Sequence, residues 1–160
     1  MSIQISEARI AQIKEVVTSW CADWSKPFSE AEALQGIQRN FDPNVEWYDH
    51  GFYICRVGHK AVLGLQKGFM HCNQPFRAEV KSILPTADGA AVEQLWIGRC
   101  TNDIVRPDGT VIMRGSGKEF KTHVGFFVKI SDAGKITRID EYDHRYWDEG
   151  IHESAYKRMT

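Results

Sequence analysis

The chain has 160 residues, of which 42% are hydrophobic and 26% are charged, and its formal net charge is −1. This length and composition predict one globular domain over residues 1–160 with a sizeable core, and they argue against a disordered chain. Lys and Arg are spread along the chain and form no basic stripe, which argues against nucleic-acid binding.

The cysteines and the apolar runs bear on the compartment. The four cysteines contain no C-x-x-C pair, so no zinc site or thioredoxin-like motif is present. The N-terminus has no basic segment followed by an apolar one, as an export signal has. No run of about 18 apolar residues could span a membrane. We therefore expect a cytoplasmic protein with reduced thiols and no membrane partner.

Two amphipathic helices are predicted at the start of the chain. The first begins near Ser6 and ends before Pro27, and its apolar residues recur at spacings of three and four: Ile10, Ile13, Val17, Trp20 and Trp24. Ser29 and Glu32 form a capping box for the second. The predicted buried stripe of the second helix is Ala33, Leu34, Ile37 and Phe41.

A turn, a strand and a third helix come next. FDPN, residues 41–44, is predicted to be a turn, and residues 45–49 alternate as a short strand does. Helical spacing returns in VGHKAVLGLQKGFMHCN. Gly64 and Gly68 weaken this helix by propensity, but they could let it lie close to a neighbouring backbone.

Four segments rich in β-branched and aromatic residues predict four strands: FRAEVKSILPT, AAVEQLWIGRCTND, GKEFKTHVGFFVKIS and KITRIDEYDHRYW. ADG and DAG supply tight turns, and RPDGTVIMRGSG supplies a longer loop. Helices followed by hairpin-linked strands predict an α+β fold with a mainly antiparallel sheet.

This order of elements and three motifs resemble the SnoaL-like polyketide cyclases and isomerases of the nuclear transport factor 2-like superfamily. The motifs are VEWYDHGF before RVGHKAV, VGFFVKISDAGKI, and GKITRIDEYDH. The resemblance implies a cone, in which a strongly curved sheet wraps around three helices and leaves a pocket. It also implies a homodimer paired through the outer face of the sheet.

The same resemblance implies a cofactor-independent isomerase or cyclase that acts by acid–base enolisation on a polyketide or terpenoid-type intermediate. Two alternatives share the fold: a dehydratase like scytalone dehydratase, and a non-catalytic ligand-binding or dimerisation module. The non-catalytic module would turn Asp49 and Glu141 out to solvent.

The resemblance also implies two catalytic carboxylates. Asp49 in VEWYD takes the place of the base in the related ketosteroid isomerases. Glu141, seven positions after Gly134, takes the place of the acid/base carboxylate of the cyclases, with Asp140 and Asp143 as alternatives.

The residues themselves support a pair of inward carboxylates. Strand alternation puts Asp49 on the face of Trp47, and Asp143 on the face of Ile139 and Glu141. A carboxyl group beside an indole is desolvated, which raises its pKa, and two such groups can divide the roles of base and acid. The competing interpretation makes Asp49 a turn cap and the other two members of a solvated face.

His123 is a further catalytic candidate, since imidazole titrates near neutral pH, although a surface or core role fits it equally well. Large aromatic residues and Gln94, a neutral donor, predict the wall of a pocket for a hydrophobic or aromatic substrate. The predicted substrate-binding residues are Trp24, Trp47, Phe69, Gln94, Trp96 and Phe127. No ligand set or phosphate-binding motif is present, so no metal or other cofactor is predicted.

Overall fold

The computed structural model describes residues 5–106, 108–143 and 159. Within them the chain forms three α-helices, a six-stranded sheet and a two-stranded ribbon. The helices are α1 Glu7–Trp24, α2 Glu30–Asn40 and α3 Gly58–Cys72. The strands are β1 Phe41–Asp49, β2 Ile54–Val57, β3 Asn73–Thr86, β4 Gly89–Cys100, β5 Ile104–Val105, β6 Val111–Met113, β7 Glu119–Ile130 and β8 Ile136–Tyr142.

The large sheet has the strand order β2-β1-β8-β7-β4-β3. β1 and β8 run parallel, and every other neighbouring pair is antiparallel. The parallel register places Asp49 beside Glu141, although 91 residues of chain lie between them. The predicted α+β fold, with three helices against a curved, mainly antiparallel sheet, is confirmed.

The first helix closes the concave side of the sheet. The Ser6 hydroxyl accepts the backbone N–H of Arg9 at 3.2 Å, which caps the helix as predicted. The Arg9 guanidinium then donates to the carbonyl of Ser131 at 2.8 Å and holds the helix start against the turn after β7. The helix residues buried in the core are Ile13, Val17, Trp20, Cys21 and Trp24.

Two details of α2 differ from the prediction. Ser29 precedes the helix, but its side chain makes no capping hydrogen bond. Leu34 is 37% exposed, whereas Ala33 and Ile37 are buried. The buried stripe is therefore narrower than the sequence spacing suggested.

β1 begins earlier than predicted, because FDPN lies within the strand. Phe41 pairs with Ile136 of β8, and the register shifts between Phe41 and Glu46. This irregularity accommodates Pro43, which has no N–H to give to a strand ladder. The predicted turn is wrong because long-range strand pairing overrides the local signal.

Gly64 and Gly68 do not bring α3 close to another backbone, so that prediction is also wrong. A Cβ at either position would meet no atom within 4 Å. Both glycines instead line a cavity between α3 and the large sheet. Their missing side chains leave space there.

The segment RPDGTVIMRGSG, predicted to be a loop, contains β6, which pairs antiparallel with β5. β2 was not predicted either. Such short strands carry too few residues for an alternation to be visible. The last predicted strand extended to residue 147, and its residues beyond Asp143 lie outside the described part of the chain.

The four cysteines are free, with Cys55 exposed and the other three buried. Within the described residues, no helix combines the length and the apolar character that a membrane crossing requires.

Candidate active site

A cavity of about 320 Å³ lies between the concave face of the sheet and helices α1 and α3. Its wall includes five of the six predicted substrate-binding residues: Trp24, Trp47, Phe69, Gln94 and Trp96. Further aromatic lining comes from Trp20, Phe52, Phe76 and Phe126. A mostly apolar cavity with few polar groups is typical of a small-molecule site. Contact of these residues with a substrate stays a prediction.

Three carboxyl groups line this cavity: Asp49, Glu141 and Asp143. Asp49 ends β1, and Glu141 is its neighbour in the parallel register of β8. Asp143 follows the end of β8. The predicted alternation explains this placement, because Trp47 with Asp49 and Ile139 with Glu141 are buried on one face of the sheet.

Asp49 is 6% exposed, and both of its carboxylate oxygens have partners. Oδ1 accepts the backbone N–H of Phe52 at 3.0 Å, which caps the turn after β1. Oδ2 lies 3.3 Å from Nη1 of Arg56. The turn-capping contact of the competing interpretation is therefore present, in a residue that also lines the cavity.

Glu141 is 5% exposed, and its Oε2 accepts the indole N–H of Trp47 at 2.7 Å. Burial raises the pKa of Glu141 well above its usual range, and the negative charges of Asp143 and Asp49 add to the shift. The Trp47 hydrogen bond and Arg56 oppose the shift without cancelling it. The raised pKa favours the neutral carboxylic acid form of Glu141.

Asp143 has a buried oxygen, Oδ1, that finds no hydrogen-bond partner in the part of the chain that the structure describes. Burial raises the pKa of Asp143 to about 7, and the neighbouring charge of Asp49 contributes. Gly51 lies directly against this carboxyl group, since a Cβ at position 51 would clash with Asp143 Oδ1. The glycine therefore makes room for the carboxyl group.

Arg56 is a cavity residue that the sequence interpretation missed. It lies on β2 opposite Trp47 in the antiparallel register, and opposed residues share a face of the sheet. It is the cation that faces Asp49. The sequence shows no alternation that would predict this placement, because β2 is only four residues long.

His123 and Phe127 lie outside the cavity, so their predicted placement is wrong. Both are on the outer face of β7, whereas Val124 and Phe126 point to the core. The His123 ring Nδ1 lies 3.1 Å from Oε1 of Glu93, and Phe127 is 58% exposed. The physical reason is strand parity, since successive side chains point to opposite faces of the sheet.

The raised pKa values predict that stability falls as the pH rises. A folded state with raised carboxyl pKa values binds more protons than the unfolded state, so the free energy of unfolding decreases with pH between the two values. For Asp143 this window runs from 3.8 to about 7. Each titrating group can contribute up to about 1.4 kcal/mol per pH unit.

Urea denaturation of the wild type and of Asp143→Asn between about pH 4 and pH 8 measures this effect. The variant lacks the titration, so its advantage over the wild type should grow across this range. A constant difference between the two proteins would show that Asp143 titrates alike in the folded and unfolded states.

The chain is similar in sequence to one known family. The family model described as a SnoaL-like domain matches residues 22–139, which is most of the chain. Among proteins of curated function, none matches the chain significantly.

Solved structures share the fold at low sequence identity. A candidate SnoaL-like polyketide cyclase from a Jannaschia species is 11% identical, with a TM-score of 0.70 over 88% of this chain and 90% of that chain. A protein of ketosteroid isomerase-like fold from Catenulispora acidiphila, in complex with trimethylamine, is 14% identical, with a TM-score of 0.66 over 89% and 98%. A candidate polyketide cyclase from Streptomyces antibioticus is 14% identical, with a TM-score of 0.61 over 82% and 91%. At these identities the similarity shows the fold alone.

Proposed function

The chain belongs to the SnoaL-like domain family, and we propose that it is a cofactor-independent isomerase or cyclase that acts by acid–base enolisation. One observation carries the proposal: an aromatic cavity holds two perturbed carboxyl groups side by side. Burial favours the neutral form of Glu141, and it raises the pKa of Asp143 to about 7. Carboxyl groups that differ in this way can serve as acid and base at the same pH.

Asp143 is the base in this proposal. Its carboxylate takes a proton from a carbon next to a substrate carbonyl, and the electron pair of the broken C–H bond passes into the enolate. Glu141 then returns a proton to the substrate at oxygen or at another carbon, and proton exchange with water restores the starting forms of Asp143 and Glu141. A base with a pKa near the working pH suits such a transfer.

The base role moves from Asp49 to Asp143 because both oxygens of Asp49 are engaged by Phe52 and Arg56. The negative charge of Asp49 raises the pKa values of both Glu141 and Asp143. Asp49 therefore affects the reaction through the pKa values of Glu141 and Asp143.

A polyketide or terpenoid-type intermediate suits this cavity. Its flat aromatic walls fit a cyclic apolar ligand. A carboxylate near pH 7 removes only an acidified C–H proton, such as one next to a carbonyl group, and polyketides carry many such positions. Among the described residues, no three His, Cys, Asp or Glu side chains are placed to share a metal ion.

Deuterium exchange tests the proposed function. The purified protein in D₂O should accelerate α-carbon exchange of 2-tetralone, a bicyclic ketone, over the buffer rate, and prior dialysis against a chelator should not change the rate. His123→Gln is the matched control, because His123 lies on the outer face and should not affect exchange. Binding of the ketone without any acceleration would contradict the proposal.

The burial of Asp49 and Glu141 weighs against the non-catalytic alternative, which requires both side chains to face solvent. The dehydratase alternative has the same fold but a different product. Product mass separates the two reactions, since a dehydratase releases water whereas an isomerase product has the mass of its substrate.

We also propose a homodimer formed through the outer face of the sheet. Phe127 and Tyr142 are 58% and 50% exposed there, and their rings pack edge-on with centroids 5.9 Å apart. Exposed neighbouring aromatic side chains are enriched in such interfaces. Sedimentation at micromolar concentration should give a dimer, and Phe127→Lys should give a monomer.

The control for the dimer is Val105→Lys. Val105 is 52% exposed but lies on the separate β5–β6 ribbon, so its substitution should leave the dimer intact. A monomeric wild type at micromolar concentration would rule out the dimer.

A further inference from the structure

The indole N–H of Trp20 is buried and unpaired. Trp20 is 2% exposed and lines the cavity, and its Nε1 has no hydrogen-bond partner among the described residues. The indole N–H groups of Trp47 and Trp96 are already used, the first by Glu141 and the second by Gln94. A buried donor without a partner costs free energy. A ligand oxygen in the cavity would remove that cost.

Gln94 supplies a second donor whose direction is fixed. An indole N–H can only donate, so the amide oxygen of Gln94 must face Trp96 Nε1, which lies 2.7 Å away. The amide nitrogen then faces Cys21, with Nε2 2.8 Å from Sγ. An amide nitrogen carries two hydrogens, and Cys21 takes one of them. The other is left for a ligand, since Gln94 lines the cavity.

Trp20 and Gln94 belong to the same part of the wall. Cys21, which contacts the Gln94 amide, follows Trp20 on α1. The rings of Trp20 and Trp96 also both contact Phe126, with centroids 5.2 Å and 6.1 Å away. Burial raises the pKa of the Cys21 thiol to about 12, so no thiolate charge opposes an anionic oxygen here.

The carboxyl groups lie across the sheet from Gln94. Gln94 is opposite Val124 of β7, and the β7–β8 register continued by one pair places Val124 opposite Asp143. Two interstrand spacings separate β4 from β8, or about 10 Å between backbones. Both side chains line the same cavity, so a ketone bound there could reach Gln94 with its oxygen and Asp143 with its α-carbon.

We propose that Trp20 and Gln94 form an oxyanion subsite that holds the carbonyl oxygen of the substrate. This inference rests on the proposed function, because the subsite stabilises the negative charge that enolisation places on that oxygen. When Asp143 takes the α-proton, the C–H electron pair moves onto the oxygen, and two fixed neutral donors meet it there. Donors oriented before the reaction stabilise such charge without having to reorganise. A site with two donors selects a carbonyl group over a hydrocarbon.

Binding of 2-tetralone and of tetralin, the same bicycle without the oxygen, tests the subsite. We expect the wild type to prefer the ketone by about tenfold, the size of one or two hydrogen bonds. Trp20→Phe keeps an aromatic ring but removes the N–H, and Gln94→Met removes the amide. Each should reduce the preference to about twofold or less and leave tetralin affinity unchanged. Trp24→Phe, in the same wall, is the control and should affect both probes equally.

Two results would overturn the inference. One is a ketone preference that survives in Trp20→Phe and disappears in Glu141→Gln, because the oxygen would then lie at the carboxyl groups. The other comes from the ¹⁵N spectrum of the wild type, which needs no variant to fold. The Trp20 indole resonance should shift with 2-tetralone and not with tetralin. An equal response to both probes would mean that the N–H points at a perpendicular ring such as Phe126.

These measurements involve no turnover. Absence of deuterium exchange together with an intact ketone preference would therefore reject the proposed function and keep the subsite as a carbonyl-binding site. Exchange activity with no preference for the ketone would reject the subsite and keep the proposed function.

Discussion

Asp143→Asn should lower the rate of α-proton exchange by about 10² to 10⁴-fold, the usual contribution of a positioned base. The amide cannot accept the proton, but it keeps the shape of the carboxyl group against Gly51. The variant should fold and bind 2-tetralone as the wild type does. Exchange kinetics and a binding isotherm on the same preparation measure both effects.

Asp49→Asn is the comparison that assigns the base. It retains an oxygen for the N–H of Phe52 but loses the ion pair with Arg56, so we expect lower stability and a rate loss of only about tenfold. The rate loss arises because the Asp49 charge no longer raises the pKa of Asp143. If Asp49→Asn abolished exchange in a fully stable protein while Asp143→Asn remained active, the base would be Asp49.

Glu141→Gln should also lower the rate of α-proton exchange by about 10² to 10⁴-fold, because the amide cannot give up a proton as a neutral acid does. Its oxygen can still accept the Trp47 N–H, so the packing around that indole should survive. Thermal unfolding and tetralin binding check that the cavity is intact. A variant with a near wild-type rate would leave Glu141 a structural group and remove the acid from the proposal.

Stability at alkaline pH gives an independent readout for Glu141. The buried acid must lose its proton as the pH rises, at a cost that the unfolded chain does not bear. Glu141→Gln should therefore gain stability over the wild type as the pH increases, since its side chain does not titrate. The same stability difference at every pH would show that the Glu141 pKa is not raised.

Alternation along a strand was predictable, whereas the partner of each strand was not. Trp47 and Asp49 share a face because the side-chain period of a strand is two, which is a local property. The parallel pairing of β1 with β8 joins segments from opposite ends of the chain. No local pattern encodes that register, and the resemblance to a known family indicated only that Asp49 and Glu141 are catalytic.

The error at β7 was avoidable from the sequence. The face that carries His123 and Phe127 also carries Lys121 and Lys129, and such charges seldom face a core. The other face carries Val124, Phe126 and Val128, which are buried. Phe127 was predicted to line the pocket because its side chain is large and aromatic.

Some features of the site depend only on tertiary contacts. The indole N–H groups of Trp47 and Trp96 donate to Glu141 and Gln94, whereas that of Trp20 has no partner among the described residues. The pKa of Asp143 follows from its burial and from Asp49 nearby. The sequence therefore predicted Trp20 only as an apolar residue of the first helix, and Asp143 only as an alternative to Glu141.

The pH dependence of exchange tests the central claim, that Asp143 is the base and Glu141 the acid in one apolar cavity. For the wild type, kcat/KM should rise with pH up to about 7, where Asp143 ionises, and fall at higher pH as Glu141 loses its proton. In Asp143→Asn the rising limb should disappear. A wild-type rate that does not change with pH, or an identical rising limb in Asp143→Asn, would contradict the account.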